Sequence, residues 1–282
     1  MEKKPSLLQK LASAQYIVWS VIFIIAPLIL VVYYAFTDAQ GNFTVANIQQ
    51  LGSYGNIFLR SIGYGLAATV ICLLLSYPFA YLLSQSGAKR QSTMILLVML
   101  PMWMNFLLRT YSWMTILEDT GLINTVLGFF GIGPLHMINT GGAVVLGMVY
   151  NFIPYMILPL YSVMSKLDKS MVEAAQDLGA NRVAVVRKVI FPLSMPGVVS
   201  GVTMVFVPCV STFYISQKLG GGTFSLIGDI IEMQFQTAYN YNLGAALSLV
   251  LMVLILICMA FMNRFADQDS GAMGDLKKSA LL

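Results

Sequence analysis

The residues of this chain with chemistry to offer lie in one aromatic and acidic stretch, Pro101-Met-Trp103-Met-Asn105-Phe106-Leu-Leu-Arg109-Thr-Tyr111-Ser-Trp113-Met-Thr-Ile-Leu-Glu118-Asp119. Ring faces attract ammonium groups, and carboxylates pair with them. A second stretch, Leu226-Ile-Gly-Asp229-Ile-Ile-Glu232-Met-Gln-Phe235, reads as a short amphipathic helix with two carboxylates one turn apart. The chemistry this set supports is passage of a cation. Trp103, Asn105, Phe106, Tyr111, Trp113, Glu118, Asp119, Asp229 and Glu232 are the candidate lining of the path. By helical spacing Trp103, Phe106 and Trp113 share a face, and Tyr111 is offset from it. Two plainer readings stand beside this one. The rings could form an interfacial belt, and Asp229 and Glu232 could simply face water.

Bond-making chemistry is not in the pattern. There is no Gly-rich phosphate loop, no metal-hydrolase spacing and no nucleophile elbow. Cys72, Cys209 and Cys258 all lie in apolar runs, and an odd number at that depth argues against disulfides, a metal site or redox work. His136 is the single histidine, with no second His or Cys beside it. The apolar segments also lack the buried carboxylates of a self-powered transporter. Arg109 is the exception, and it is expected near the outer end of its span, paired with an acidic residue or with carbonyls. The chain is therefore not an enzyme and holds no cofactor; energy for transport must come from a partner.

Residues 166–197 form the longest polar interruption, with Lys166, Lys169, Arg182, Arg187 and Lys188. Basic loops beside membrane spans stay inside the cell. Ser170 and Glu173 have capping-box spacing. Met171, Ala174, Ala175 and Leu178 recur on one helical face. Gly179 suits the left-handed position that ends a helix, Asn181 can cap a second helix, and Pro192 is expected to stop it. A short helix with small residues on its apolar face is shaped to be covered by a partner, or to rest as a connector on the headgroups.

These elements need a membrane to position them. The 282 residues are 58% hydrophobic and 10% charged, against about 25% charged in soluble domains. Spans are expected at 16–36, 61–83, 92–117, 140–164, 198–216 and 243–262, the third broken by Pro101, with Gly121–Pro134 lying on the membrane surface. Residues 1–15 form a cytoplasmic start, and the tail from 264 to 282 is expected to be cytoplasmic and disordered. Thirteen of the sixteen Lys and Arg residues fall in the inward segments of this arrangement, and Lys218 is the one in an outward loop. Both termini are thus placed inside. The outer side carries a net −2 and the inner side +6, so the outer mouth favours cations.

Glu173-Ala174-Ala175, Gly179 and Ile190-Phe191-Pro192 resemble the EAA loop of ABC importer permeases. Asn105-x-x-x-Arg109-x-Tyr111, Leu158-Pro159-Leu160-Tyr161, Lys166-Leu167-Asp168-Lys169 and Leu226-Ile227-Gly228 look like the spermidine/putrescine (PotB-type) permeases of that family. The resemblance covers residues 16–262. It implies an all-α, six-span type I importer fold (MetI-like) in the bacterial inner membrane, with a permease domain at 16–263 and a coupling loop at 166–190. It also implies that Met171, Glu173, Ala174, Ala175, Leu178 and Gly179 meet a cytoplasmic ABC ATPase dimer, which binds the ATP. A second permease of the PotC type and an external polyamine-binding protein complete the implied complex. Permeases for iron, thiamine or opine-like compounds share the EAA loop. The rivals from other classes are a stand-alone secondary transporter, driven by an ion gradient, and a membrane scaffold without a path.

Overall fold

A backbone in hydrocarbon must satisfy its own N–H and C=O groups, and the apolar runs of this chain accordingly fold as helices. The computed structural model describes residues 15–222 and 225–279, so the expected cytoplasmic start lies outside the described residues except for Gln15. The helices are α1 (Gln15–Ala35), α2 (Gly55–Ser84), α3 (Ala88–Trp103), α4 (Phe106–Leu117), α5 (Leu122–Phe129) and α6 (Gly141–Met164), then α7 (Lys169–Asp177), α8 (Arg182–Ser211), α9 (Tyr214–Leu219), α10 (Ile227–Gln236) and α11 (Tyr241–Ser279). Among the described residues five helices are long and apolar enough to cross a membrane, or six when the bent pair after Ser84 counts as one span.

Four expectations need correction. The third span is broken, but past Pro101 rather than at it: α3 runs through Pro101 to Trp103 and the chain bends by 90° before α4. Met104 is extended, and the Asn105 side chain accepts from the amides of Leu107 and Leu108, so a new helix is capped there. Pro192 does not stop its helix. A wide π turn, Val186–Ile190, ends just before it, and Pro192 sits in the first turn of the α segment that follows, where a missing N–H is tolerated. The fifth span consequently runs from Arg182 to Ser211 rather than from 198 to 216, and Thr212 turns extended before α9. The tail expected to be disordered continues α11 as helix to Ser279.

The described residues divide into two compact units, one of residues up to 56 with 230–253, the other of 57–229 with 254 onward. In the first, Ala35, Ala245 and Ala246 are buried against Val31, Phe36, Ile48, Leu51 and Leu249. Small residues let the end of α1 and the start of α11 approach closely. The carbonyls left over at the end of α1 are taken up by two amides. Asn47 Nδ2 donates to Ala35 and Thr37, and Asn242 Nδ2 donates to Thr37 at 2.7 Å. Asp38 closes the loop beyond; the Asn42 amide, donating to it at 2.8 Å, holds its carboxyl below the usual Asp value.

The second unit is organised on α6 and α8. Gly197 and Gly201, one turn apart on α8, let the two backbones come together: a Cβ at Gly197 would lie 3.1 Å from the Pro159 carbonyl oxygen, and one at Gly201 would lie 2.7 Å from Met156 Sδ. Met148, Met156, Leu160 and Met164 of α6, Val198, Val205 and Cys209 of α8, and Ala68, Cys72 and Ala80 of α2 share one buried cluster with Ile215 and Leu219 of α9. Polar ties fix the C-terminal end of α6. Tyr161 OH donates to Gln91 Oε1 at 2.9 Å, and Gln91 Nε2 donates to the Ser84 and Ser86 carbonyls. Helix α5 turns Leu122, Val126, Phe129 and Phe130 outward, the face a membrane-surface helix needs.

Candidate functional site

Two regions of the second unit hold the sequence-predicted residues other than Glu232, which falls in the first unit, and they sit at opposite ends of α6. Near its N-terminal end Ile215 and Leu219 of α9 press on Gly147. At its C-terminal end Met164 lines a cavity under α7.

Helix α7 is built by its ends. Its N-cap is Asp168, not the expected Ser170: Asp168 Oδ1 accepts from the Ser170 amide at 2.9 Å. That bond favours the ionised carboxylate and lowers the Asp168 pKa below its ordinary value. The C-terminal end closes as expected. Gly179 has φ +81°, its amide donates to Gln176 and that of Ala180 donates to Ala175, the paired bonds of a Schellman turn. Asn181 Oδ1 then accepts from the Ala184 amide and caps α8. Stopped at both ends, α7 shows Met171, Ala174 and Leu178 to solvent, with Leu178 90% exposed; Val183 beyond it is also exposed. Ala175 is half-covered and Glu173 is exposed. The opposite side, with Val172 and Gln176, faces a cavity of about 200 Å³ lined by Tyr81, Met164 and Ile190.

At the other end of α6 the bend at Asn105 changes which rings meet. Trp103 is left on α3, 72% exposed, and shares no face with Phe106 and Trp113, because the helix is interrupted between them. Phe106 and Trp113 pack against the buried cluster, and Trp113 meets Tyr150 edge-on at 5.3 Å. Tyr111, which the spacing set apart, joins Tyr214 of α9 edge-on at 6.3 Å. Phe106 also reaches Tyr214, at 5.8 Å. Lys218 Nζ stands 5.5 Å from the centre of the Tyr111 ring and 5.8 Å from that of Tyr214. An ammonium group over ring faces is thus present within the chain itself. Sequence reasoning did not find Tyr214, because α9 is too short to show a period. Lys218 was visible only as the lysine out of place in the charge count.

The carboxylates separate. Asp119 pairs with His136 Nδ1 at 3.1 Å on the surface. Glu118 is half-buried and ends α4, its carbonyl accepting from Gly121 and from Asn124 Nδ2. Asp229 does not face a mouth. It is 8% exposed, and its carboxylate accepts from Ser216 Oγ at 2.8 Å and from the Leu226 amide at 2.7 Å, because it closes the start of α10. Ser61 Oγ accepts from the next amide, Ile227, at 2.8 Å. Glu232, one turn on, is half-buried. Arg109 also departs from expectation. It is 8% exposed, and its Nε and Nη1 have no hydrogen-bond partner among the described residues, where pairing with a carboxylate or with carbonyls was expected. Its side chain is carried inward by α4 beside the buried Thr110. Among the described residues no group of His, Cys, Asp and Glu could hold a metal ion.

A membrane bundle with a capped, solvent-facing helix on its basic side is the architecture of transport components that work with soluble partners, and the sequence match decides it. Residues 91–269, which include both regions, match the family described as "Binding-protein-dependent transport system inner membrane component". The chain belongs to this family. It is an inner-membrane permease component of a binding-protein-dependent transport system. Among its relatives is the spermidine/putrescine transport system permease protein PotB of Haemophilus influenzae, 38% identical over 86% of this chain and 88% of that one. PotB of Escherichia coli is 35% identical over 82% of this chain and 88% of that one. In fold the chain is similar to a crystal structure of a bacterial ABC transporter involved in the import of the acidic polysaccharide alginate. The TM-score is 0.75 over 93% of this chain and 95% of that one, at 17% identity. The fold is that of ABC importer permeases, and the bent α3–α4 pair counts as one of the six spans foreseen.

Proposed function

We propose that this permease imports polyamines. An external binding protein delivers the substrate, a second permease of similar fold completes the path, and a cytoplasmic ABC ATPase dimer drives it. The observation that carries the transport mechanism is α7: a helix closed at both ends whose Met171, Ala174 and Leu178 face solvent while Val172 and Gln176 face the bundle. Its exposed apolar side chains fit a groove on the ATPase, with Glu173 at the edge. Closure of the ATPase pair on ATP would push α7 as a rigid lever, because its caps leave no frayed turn to absorb the displacement. The push passes to α8 through the Gly179–Asn181 turn and to α6 through the residues beneath.

The polyamine reading rests on the PotB relatives and on the rings of α4 and α9, which already hold an alkylammonium group. Of the predicted lining, Phe106, Tyr111 and Glu118 keep a place in the path, with Tyr214 added; Trp113 faces the core and Asp229 is tied to its own chain. The test is ATP-driven uptake of spermidine by vesicles holding the whole importer. Uptake must require the ATPase and the binding protein and must not follow an imposed ion gradient. Transport that survives without the ATPase would return the case to a secondary transporter.

A further inference from the structure

We propose that Tyr111 and Tyr214 form a binding site for a primary ammonium group, and that Lys218 is its tethered occupant, which an incoming substrate ammonium must displace. This rests on the polyamine reading above. The site joins two places that the sequence keeps far apart: Tyr111 on α4, and Tyr214 with Lys218 one turn apart on α9. The rings stand edge to face at 6.3 Å, and Lys218 Nζ lies within 6 Å of both ring centres, the range in which a cation is held by the ring quadrupole. Lys218 is half-buried, and among the described residues the ion pair found is that of His136 with Asp119, not one with Lys218. An ammonium partly withdrawn from water without a carboxylate is stabilised by the two tyrosines, through their rings and through its hydrogen bond with the Tyr111 side chain.

The chemistry of the occupant identifies the ligand. A lysine side chain is four methylenes ending in a primary ammonium, which is also one end of an aliphatic diamine. Rings spaced to take the one will take the other. Lys218, on helix α9, is also the lysine that the charge count sets apart from the thirteen basic residues of the inward segments, so its position against these rings is not an accident of a basic surface. A site occupied by its own chain binds a ligand with an apparent affinity reduced by the fraction of time it stands open. Lys218 therefore sets how readily the path accepts an ammonium and blocks entry of uncharged solutes, which cannot replace it on the rings.

The experiment is equilibrium binding of labelled putrescine to the purified permease complex without the binding protein, alongside ATP-driven spermidine uptake by the complete importer. Lys218→Met and Lys218→Gln are expected to tighten putrescine binding by about fivefold, the scale of one cation–ring contact. Lys218→Arg, which keeps a cation on the rings, is expected to bind as the parent does. In a Tyr111→Leu background the effect of Lys218→Met shrinks, because the tether has lost one ring. Unchanged binding on removal of Lys218 would overturn the proposal. So would a gain of undiminished size in the Tyr111→Leu background, which would mark simple charge repulsion. If the complete importer takes up no polyamine, the polyamine reading fails; if it does and the Lys218 variants bind alike, only the present inference fails.

Discussion

Ser216 and Asp229 are joined by a 2.8 Å hydrogen bond in which the hydroxyl donates to Oδ1 of a buried carboxylate, whose Oδ2 accepts from the Leu226 amide. The bond fastens α9, which carries Tyr214 and Lys218, to the start of α10. Two groups that the sequence sets apart, one at the end of an expected span and one on an amphipathic helix, are in the fold one clasp.

Removing the acceptor takes away the partner of the buried Leu226 amide, while Ser216 Oγ keeps the Phe213 carbonyl at 2.8 Å; hydrogen bonds to a charged group contribute about 1.5–3 kcal/mol each. Asp229→Ala is therefore expected to lower the melting temperature of the detergent-solubilised permease, and Ser216→Ala to lower it less. An unchanged melting temperature in Asp229→Ala would mean the carboxylate is free to serve a passing cation instead.

The coupling helix gives the second expectation. Gly179 stands at φ +81°, where a β-branched side chain is an outlier and strain of about 1–3 kcal/mol is typical. Gly179→Val should leave the spans inserted but uncouple ATP hydrolysis from uptake. Leu178→Glu, on a side chain 90% exposed, should leave the permease level intact and release the ATPase on purification. Retention of the ATPase at parental stoichiometry by Leu178→Glu would argue against α7 as the docking surface.

The Asp168 cap makes the same helix sensitive to acid. The Ser170 amide holds the carboxyl below its ordinary value of 3.8. A lowered folded pKa contributes stability that is present above 3.8 and is lost as pH falls through the lower folded value. Hydrogen-exchange protection of the first turn of α7 should thus fade on acidification below 3.8 in the parent. In Asp168→Asn, whose amide oxygen caps without titrating, it should be independent of pH across that window. Parallel loss in both would mean that another group unfolds the segment.

Much of this was legible in the sequence because it is local. Span lengths follow from bilayer thickness, the Gly179 turn from the residue that alone tolerates positive φ without strain, and the Asn181 cap from its side chain. The errors are also physical. Asp168 and Ser170 are both good caps two residues apart, and the chain used the first. Pro192 looks like a stop unless a π turn precedes it, and nothing in the stretch Val183–Phe191 signals one. Trp103 and Phe106 look like neighbours on one face until Asn105 starts a new helix. The meeting of Tyr111 with Tyr214 and Lys218 depends on how α4 crosses α9, a tertiary relationship with no periodic trace.

Arg109 supplies the last prediction, and it reverses the one its sequence position suggests. A charge at the end of a span that found a carboxylate would be structural, and its removal would lower the amount of assembled protein. In the fold Arg109 is 8% exposed, and its Nε and Nη1 lack hydrogen-bond partners. A buried charge in that condition opposes folding, and replacing buried ionic groups by apolar residues of similar volume is often neutral or stabilising, by about 1–4 kcal/mol. Such a charge is retained for what it does in the working cycle rather than for the resting fold, since departures from good packing collect at functional sites. Arg109→Met is expected to match or exceed the parent in melting temperature and membrane level while uptake falls. Arg109→Lys, which keeps charge but not the planar fork, is expected to recover uptake only in part. A melting temperature well below the parent in Arg109→Met would show that the guanidinium holds the fold together and that the resting state satisfies it.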